Sequence, residues 1–136
     1  MRLEKMLLEY DCFPILAIYV ENGKRYFCNG TELRTYERIV AYPATASQLI
    51  RVLTNEATLA GVFGNAETVW VATQEPGSDD FKIEKKSAAD LDKYDKLPEG
   101  VYASSHPERL AKYVEFLTSV YQKQLGKRQS SPLWDE

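Results

Sequence analysis

Residues 40–63 read VAYPATASQLIRVLTNEATLAGVF, and the hydrophobic period changes in the middle of them. Residues 38–42 read as a strand, and Pro43, which has no N–H to give a ladder, ends it. Thr45 then opens a helix with Gln48 three residues later. That spacing is a capping box: the Thr45 hydroxyl accepts from the Gln48 backbone N–H, and the Gln48 side chain reaches back to the Thr45 N–H. Leu49, Ile50 and Leu53 form the buried stripe of the helix. Residues 55–58 interrupt it, and a second helical piece presents Leu59, Val62 and Phe63. Gly64-Asn65 ends that piece as a left-handed cap would. The passage points to an α+β domain, yet no group in it does chemistry.

Upstream, residues 14–20 form a run of apolar residues. A run without polar alternation predicts burial on both faces, hence an interior place in the sheet. Asn22-Gly23 supplies the two positive-φ positions of a type I′ turn, so residues 25–29 return as a hairpin partner. Tyr26 and Cys28 fall on one face of that strand, Arg25 and Phe27 on the other. Residues 36–42 make a third strand, and residues 2–9 fit either a short helix or an extended arm. Downstream, residues 68–73 set Val69 and Val71 against Trp70 and Ala72. After a turn at 75–78, residues 81–85 alternate as a half-exposed antiparallel partner.

Ser87 with Asp90 predicts one helical turn within 87–94. Ser105 with Glu108 forms a second capping box, with Pro107 tolerated in the first turn. The helix it opens, 105–125, carries Leu110, Tyr113, Val114, Leu117, Val120 and Tyr121 at three- and four-residue spacing. Phe116 widens its apolar face, and Gly126 stops it. The expected fold is α+β: a mainly antiparallel sheet of about five strands, flanked by the helical segment 45–63 and the long helix 105–125. Residues 1–126 make one domain, and 127–136 a flexible tail.

Composition bounds the functions available. A chain of 136 residues, 44% hydrophobic and 27% charged, is the size and make-up of one globular domain. A net charge of −3 gives no electrostatic reason to approach nucleic acid. No apolar run is long enough to span a membrane. With no secretory pattern at the start and only Cys12 and Cys28, a reducing cytoplasm is the expected setting.

The chemistry-bearing residues are sparse. His106 is the only histidine, and nothing in the spacing brings it to Cys12 or Cys28 as a base for a thiol nucleophile. One His and two Cys match no zinc spacing, and the pairs Asp79-Asp80 and Asp90/Asp92 lack the pattern of a calcium loop. Gly61, Gly64 and Gly77 build no phosphate cradle. No catalytic residue, metal or cofactor is therefore expected. The aromatic residues reach 12% of the chain, nine of them tyrosines. Tyr26, Phe27, Tyr113, Phe116 and Tyr121 fall on faces predicted to be buried. Tyr10, Tyr36, Tyr42, Tyr94 and Tyr102 are hard to bury together, and surplus tyrosine is a mark of interfaces.

An ordered series of signals resembles an uncharacterised bacterial domain family. It comprises Tyr10-Asp11 and Phe13-Pro14, Gly23-Lys24 with Tyr26, and residues 40–53 with the Pro43 break. Residues 59–63 and Leu97-Pro98 with Gly100-Val101-Tyr102 complete it. It covers residues 10 to about 103 and implies a compact bacterial α+β domain, with no catalytic residues to carry over.

These readings lead to a non-catalytic protein-interaction or accessory module of a bacterial or phage system. Its partner is another protein or a second copy, with neither nucleic acid nor membrane. Phe116, Leu133 and Trp134 are the candidate contact residues, because an apolar Leu-Trp pair in a polar tail has no folding reason unless it docks. The competing expectation is a small-ligand binder or enzyme with a pocket between the sheet and residues 40–63. It would use Asp11, Tyr42 and Tyr102.

Overall fold

The computed structural model describes residues 2–8, 15–32, 37–74, 77 and 80–130. Six strands form one antiparallel meander in sequence order: β1 (Arg2–Leu8), β2 (Ile15–Glu21), β3 (Lys24–Glu32), β4 (Glu37–Ala44), β5 (Val69–Gln74) and β6 (Phe81–Lys86). The sheet thus has six strands rather than about five, because the opening segment resolves as an extended edge strand paired to β2. The β2–β3 hairpin turns on Asn22 and Gly23, whose φ values of 52° and 76° are the pair a type I′ turn requires.

Two helices follow β4. Thr45 caps α1 (Ala46–Leu53) through the full capping box, with Gln48 N–H donating to Thr45 Oγ1 at 3.1 Å and Thr45 N–H to Gln48 Oε1 at 2.9 Å. Asn55 takes φ 59° where the chain turns, and Thr58 caps α2 (Leu59–Phe63). Gly64 ends α2 in right-handed geometry (φ −64°), not the left-handed cap expected from Gly-Asn. A 3₁₀ turn at Ala88–Asp90 follows β6.

The last helix departs from expectation at both ends. A 3₁₀ turn, Pro107–Leu110, precedes α3 (Ala111–Ser130), and no side chain caps it. Ser104 rather than Ser105 is engaged, its Oγ accepting from His106 N–H at 3.0 Å. Proline at the first position removes one of the N–H groups a cap would satisfy, so the Ser105–Glu108 box has little to do. Gly126 does not stop the helix, which runs on to Ser130, beyond the expected boundary at 126; a single glycine costs only about 1 kcal/mol in a helix interior.

One core lies between the sheet and its helices. Ile18, Phe27, Val40, Tyr42 and Val69 meet Leu49, Leu53, Leu59, Phe63 and Leu117 there. Phe27 stacks on Phe63 at 5.0 Å and 7°. Residues 88–103 close the β4–β5 side through Ala88, Leu91, Leu97 and Ala103. All this packing uses one face of the sheet. Among the described residues, no helix is long and apolar enough to cross a membrane.

Candidate functional site

Among the described residues, no helix packs on the other face of the sheet, which in that sense is bare. Ladder partners share a face, so the registers give three rows of side chains across it. One row is Leu3–Tyr19–Tyr26–Pro43, the middle row Met6–Ala17–Cys28–Ala41–Trp70–Lys85, and the third Gly30–Ile39–Ala72–Ile83. Ile83 is 65% exposed, and Leu3, Met6, Trp70 and Phe81 lie between 38% and 45%. Ala17, Cys28 and Ala41 on this face are buried, at 2%, 3% and 6% exposed, yet lie outside the core cluster. The floor is therefore small side chains and the margins are large ones. Lys85 is the only charge in these rows, and its Nζ sits 5.9 Å from the centre of the Trp70 ring.

The apolar run in β2 explains why the sequence concealed this. Leu16 and Ile18 enter the core, while Ala17 and Tyr19 point to the uncovered side. Two apolar faces were legible, and burial of both was the natural expectation. Among the described residues, helices pack on only one of them.

The edges of the sheet are defended against strand addition. β1 is broken by register shifts at Leu3/Lys5 and Met6/Leu8, and β6 carries Lys82, Lys85 and Lys86. Bulges and lysines are the usual means of blunting an edge. The bare face has no such protection.

Opposite that face, two polar clusters hold the helical layer. Arg25 donates from Nε and Nη2 to the two Glu4 oxygens at 2.8 and 3.2 Å, and Tyr113 OH donates to Glu4 Oε1. Burial on its own would raise the Glu4 carboxyl, but these bonds and the Arg25 charge prevail and hold it below the ordinary 4.5. Burial, then the bond to Glu4, pushes the Tyr113 hydroxyl up. Phe116 belongs to this cluster: it stacks on Tyr113 at 6.0 Å, and the Arg25 guanidinium lies 5.4 Å from its ring centre. Phe116 and Tyr121 are partly exposed rather than buried as expected.

The second cluster lines a recess of about 220 Å³ over β4–β6, where Arg38 Nη1 donates to buried Asp95 at 2.6 Å and to exposed Asp92 at 3.4 Å. Lys82 and Lys86 each lie near Glu84, at 3.5 and 3.6 Å. No local pattern signals this cluster, since its members come from four separate segments.

Of the alternative ligand set, the described members Tyr42 and Tyr102 do not line one recess. Tyr42 lies in the core and touches a cavity of about 340 Å³ between α2 and residues 88–99. Burial, then the nearby Asp95, pushes its hydroxyl up. Tyr102 is half-exposed and is not among the residues lining that cavity. Asp11, Leu133 and Trp134 lie outside the described residues.

Cys28 is 3% exposed, and burial pushes its thiol up to about 12, the setting of an inert side chain rather than a nucleophile. His106 stands exposed, with Nδ1 3.4 Å from Glu108. Among the described residues, no group of three or more His, Cys, Asp or Glu is placed to hold a metal ion. No protein family, curated protein or solved structure matches the chain.

Proposed function

We propose that this chain is a non-catalytic protein-interaction module, and that its working surface is the bare face of the sheet. One observation carries the reading. Leu3 and Met6 on β1, and Trp70, Phe81 and Ile83 on β5 and β6, stand exposed on this one face of the sheet. Large apolar residues exposed on one face are the kind of surface that marks a binding site, whereas single scattered ones need no explanation. Trp70 is the expected anchor, since tryptophan dominates binding energy where it can be fully desolvated.

The bacterial or phage setting rests on the ordered motifs alone. Phe116 takes a lesser part than its sequence position suggested, because its ring is engaged by Arg25 and Tyr113. The test is affinity capture with full-length protein and the Trp70→Glu/Ile83→Lys variant in parallel, followed by calorimetry on any purified partner. Binding should vanish in the variant while its circular dichroism stays native. Equal binding by a folded variant would overturn the reading.

A further inference from the structure

We propose that the cavity between α2 and residues 88–99 binds a small neutral molecule, largely apolar and carrying one carbonyl or hydroxyl oxygen, which the Tyr42 hydroxyl recognises. The cavity holds about 340 Å³, at the small end of the range that ligand sites occupy. It lies on the helical side of the sheet, so its occupancy is independent of whatever binds the bare face.

The first support is Tyr42. It is 1% exposed, and its ring centre lies 6.3 Å from that of Phe27 and 5.8 Å from that of Phe63. Phenylalanine would complete this aromatic cluster equally well, so packing does not call for the hydroxyl. No described residue forms a hydrogen bond with it. Among the described residues, the side-chain oxygens sealed from solvent without a partner are those of Asn29 and Asn55, not that of Tyr42. The Tyr42 oxygen therefore keeps open surface. Tyr42 lines this cavity and not the recess around Arg38, so the cavity is where that surface lies. A donor left unpaired in a low-dielectric site is destabilising, and a ligand that accepts from it removes the penalty.

The second support is the lining. Ala60, Ala88 and Ala89 leave room that larger side chains would fill, and Leu91 and Leu97 add apolar wall. A mostly apolar wall with a few polar groups to fix orientation is how ligand sites are commonly built. Charge selects a neutral occupant. Lys96 and Glu99 also line the cavity, both exposed, and their opposite charges offset each other. Burial, then the charge of Asp95, keeps the Tyr42 hydroxyl protonated and able to donate. An anionic group against Tyr42 would face that Asp95 carboxylate, whereas a neutral oxygen accepts the bond without the repulsion.

The experiment is an NMR titration of the isotope-labelled full chain with acetophenone, a neutral molecule with one carbonyl, up to about 10 mM. Amide shifts of residues 64–65, 88–91 and 96–99 should saturate, with a dissociation constant of about 1 mM. Tyr42→Phe should weaken binding by about 5- to 10-fold, the share of one hydrogen bond. Benzoate, the same ring with an anionic head, should bind about 10-fold more weakly than acetophenone or worse. Ala89→Leu, at an exposed position in the lining, should remove binding by filling the space. Circular dichroism checks that each variant folds, and Ala89→Leu serves if Tyr42→Phe does not. Shifts that stay linear to the highest concentration, or that map to other residues, would mean that water alone fills the cavity and would overturn the proposal. So would equal affinity in a folded Tyr42→Phe or Ala89→Leu chain, or benzoate binding as tightly as acetophenone.

Discussion

Glu4→Gln removes one charge while keeping the side chain's shape, and the fold makes its cost calculable. Glu4 is the unpaired residue in the register shift between Leu3 and Lys5, and its side chain reaches Tyr113 of α3. Its carboxylate accepts two bonds from Arg25 and one from Tyr113, so it fastens the edge strand to both β3 and the last helix. Both members of the ion pair have side chains only 12% exposed, which limits screening by water and salt. Hydrogen bonds to charged groups contribute a net of about 1.5–3 kcal/mol each, and glutamine keeps at most part of the set. The substitution also leaves the half-buried guanidinium without its counter-charge. A net loss of about 2–3 kcal/mol at pH 7 is expected.

The pH dependence has a definite sign. The folded-state pKa of Glu4 is lowered from 4.5, so its contribution is fully present above that value and is lost as pH falls through the lower folded value. Urea unfolding at a series of pH values from about 7 down to about 3 measures both effects. The wild type should lose more stability across the acid range than the Glu4→Gln variant. Equal stabilities within about 0.5 kcal/mol at pH 7, with parallel acid limbs, would refute this view of the clamp.

Four further outcomes are expected. Asp95→Asn should cost about 2–3 kcal/mol in thermal or urea unfolding, since Asp95 is buried at 2.6 Å from Arg38. Asp92→Asn, on a side chain 70% exposed, should cost less than about 0.5 kcal/mol; similar losses for the two would contradict the burial difference. Leu49→Ala should cost about 3–4 kcal/mol by opening the core under α1. Ile83→Thr, on the bare face, should cost the isolated chain less than about 1 kcal/mol; a larger loss at low concentration would mean that something in the domain covers that face. In a Cys12→Ser chain, the Cys28 thiol should resist a disulfide reagent at pH 8 until urea is added, because its burial keeps the thiolate scarce until about pH 12. Fast labelling of the native chain would contradict that.

Local rules made much of the fold legible. The Thr45–Gln48 box, the Asn22-Gly23 turn and the alternation of Val69 and Val71 against Trp70 each depend on neighbours in sequence, and each is where the residues placed it. The opening strand was ambiguous because its two bulges break the period of two that marks a strand. Gly126 misled because tolerance of a glycine inside a helix is decided outside the local pattern. The Arg38 recess had no sequence signal at all, being assembled by the sheet from distant segments. The bare face was half visible: the run in β2 declared two apolar faces but could not say which of them the helices would cover. That depends on all helical segments packing on the same side, a property of the whole chain.

The most direct measurement is acrylamide quenching of Trp70, made the sole tryptophan by Trp134→Phe, as a partner purified by affinity capture is added. If this face of the sheet is the contact surface, quenching should fall by about half or more as the ring becomes covered, and Ile39→Asp should abolish the fall. Quenching that stays constant while the partner binds would place the contact elsewhere and contradict the role assigned to the sheet.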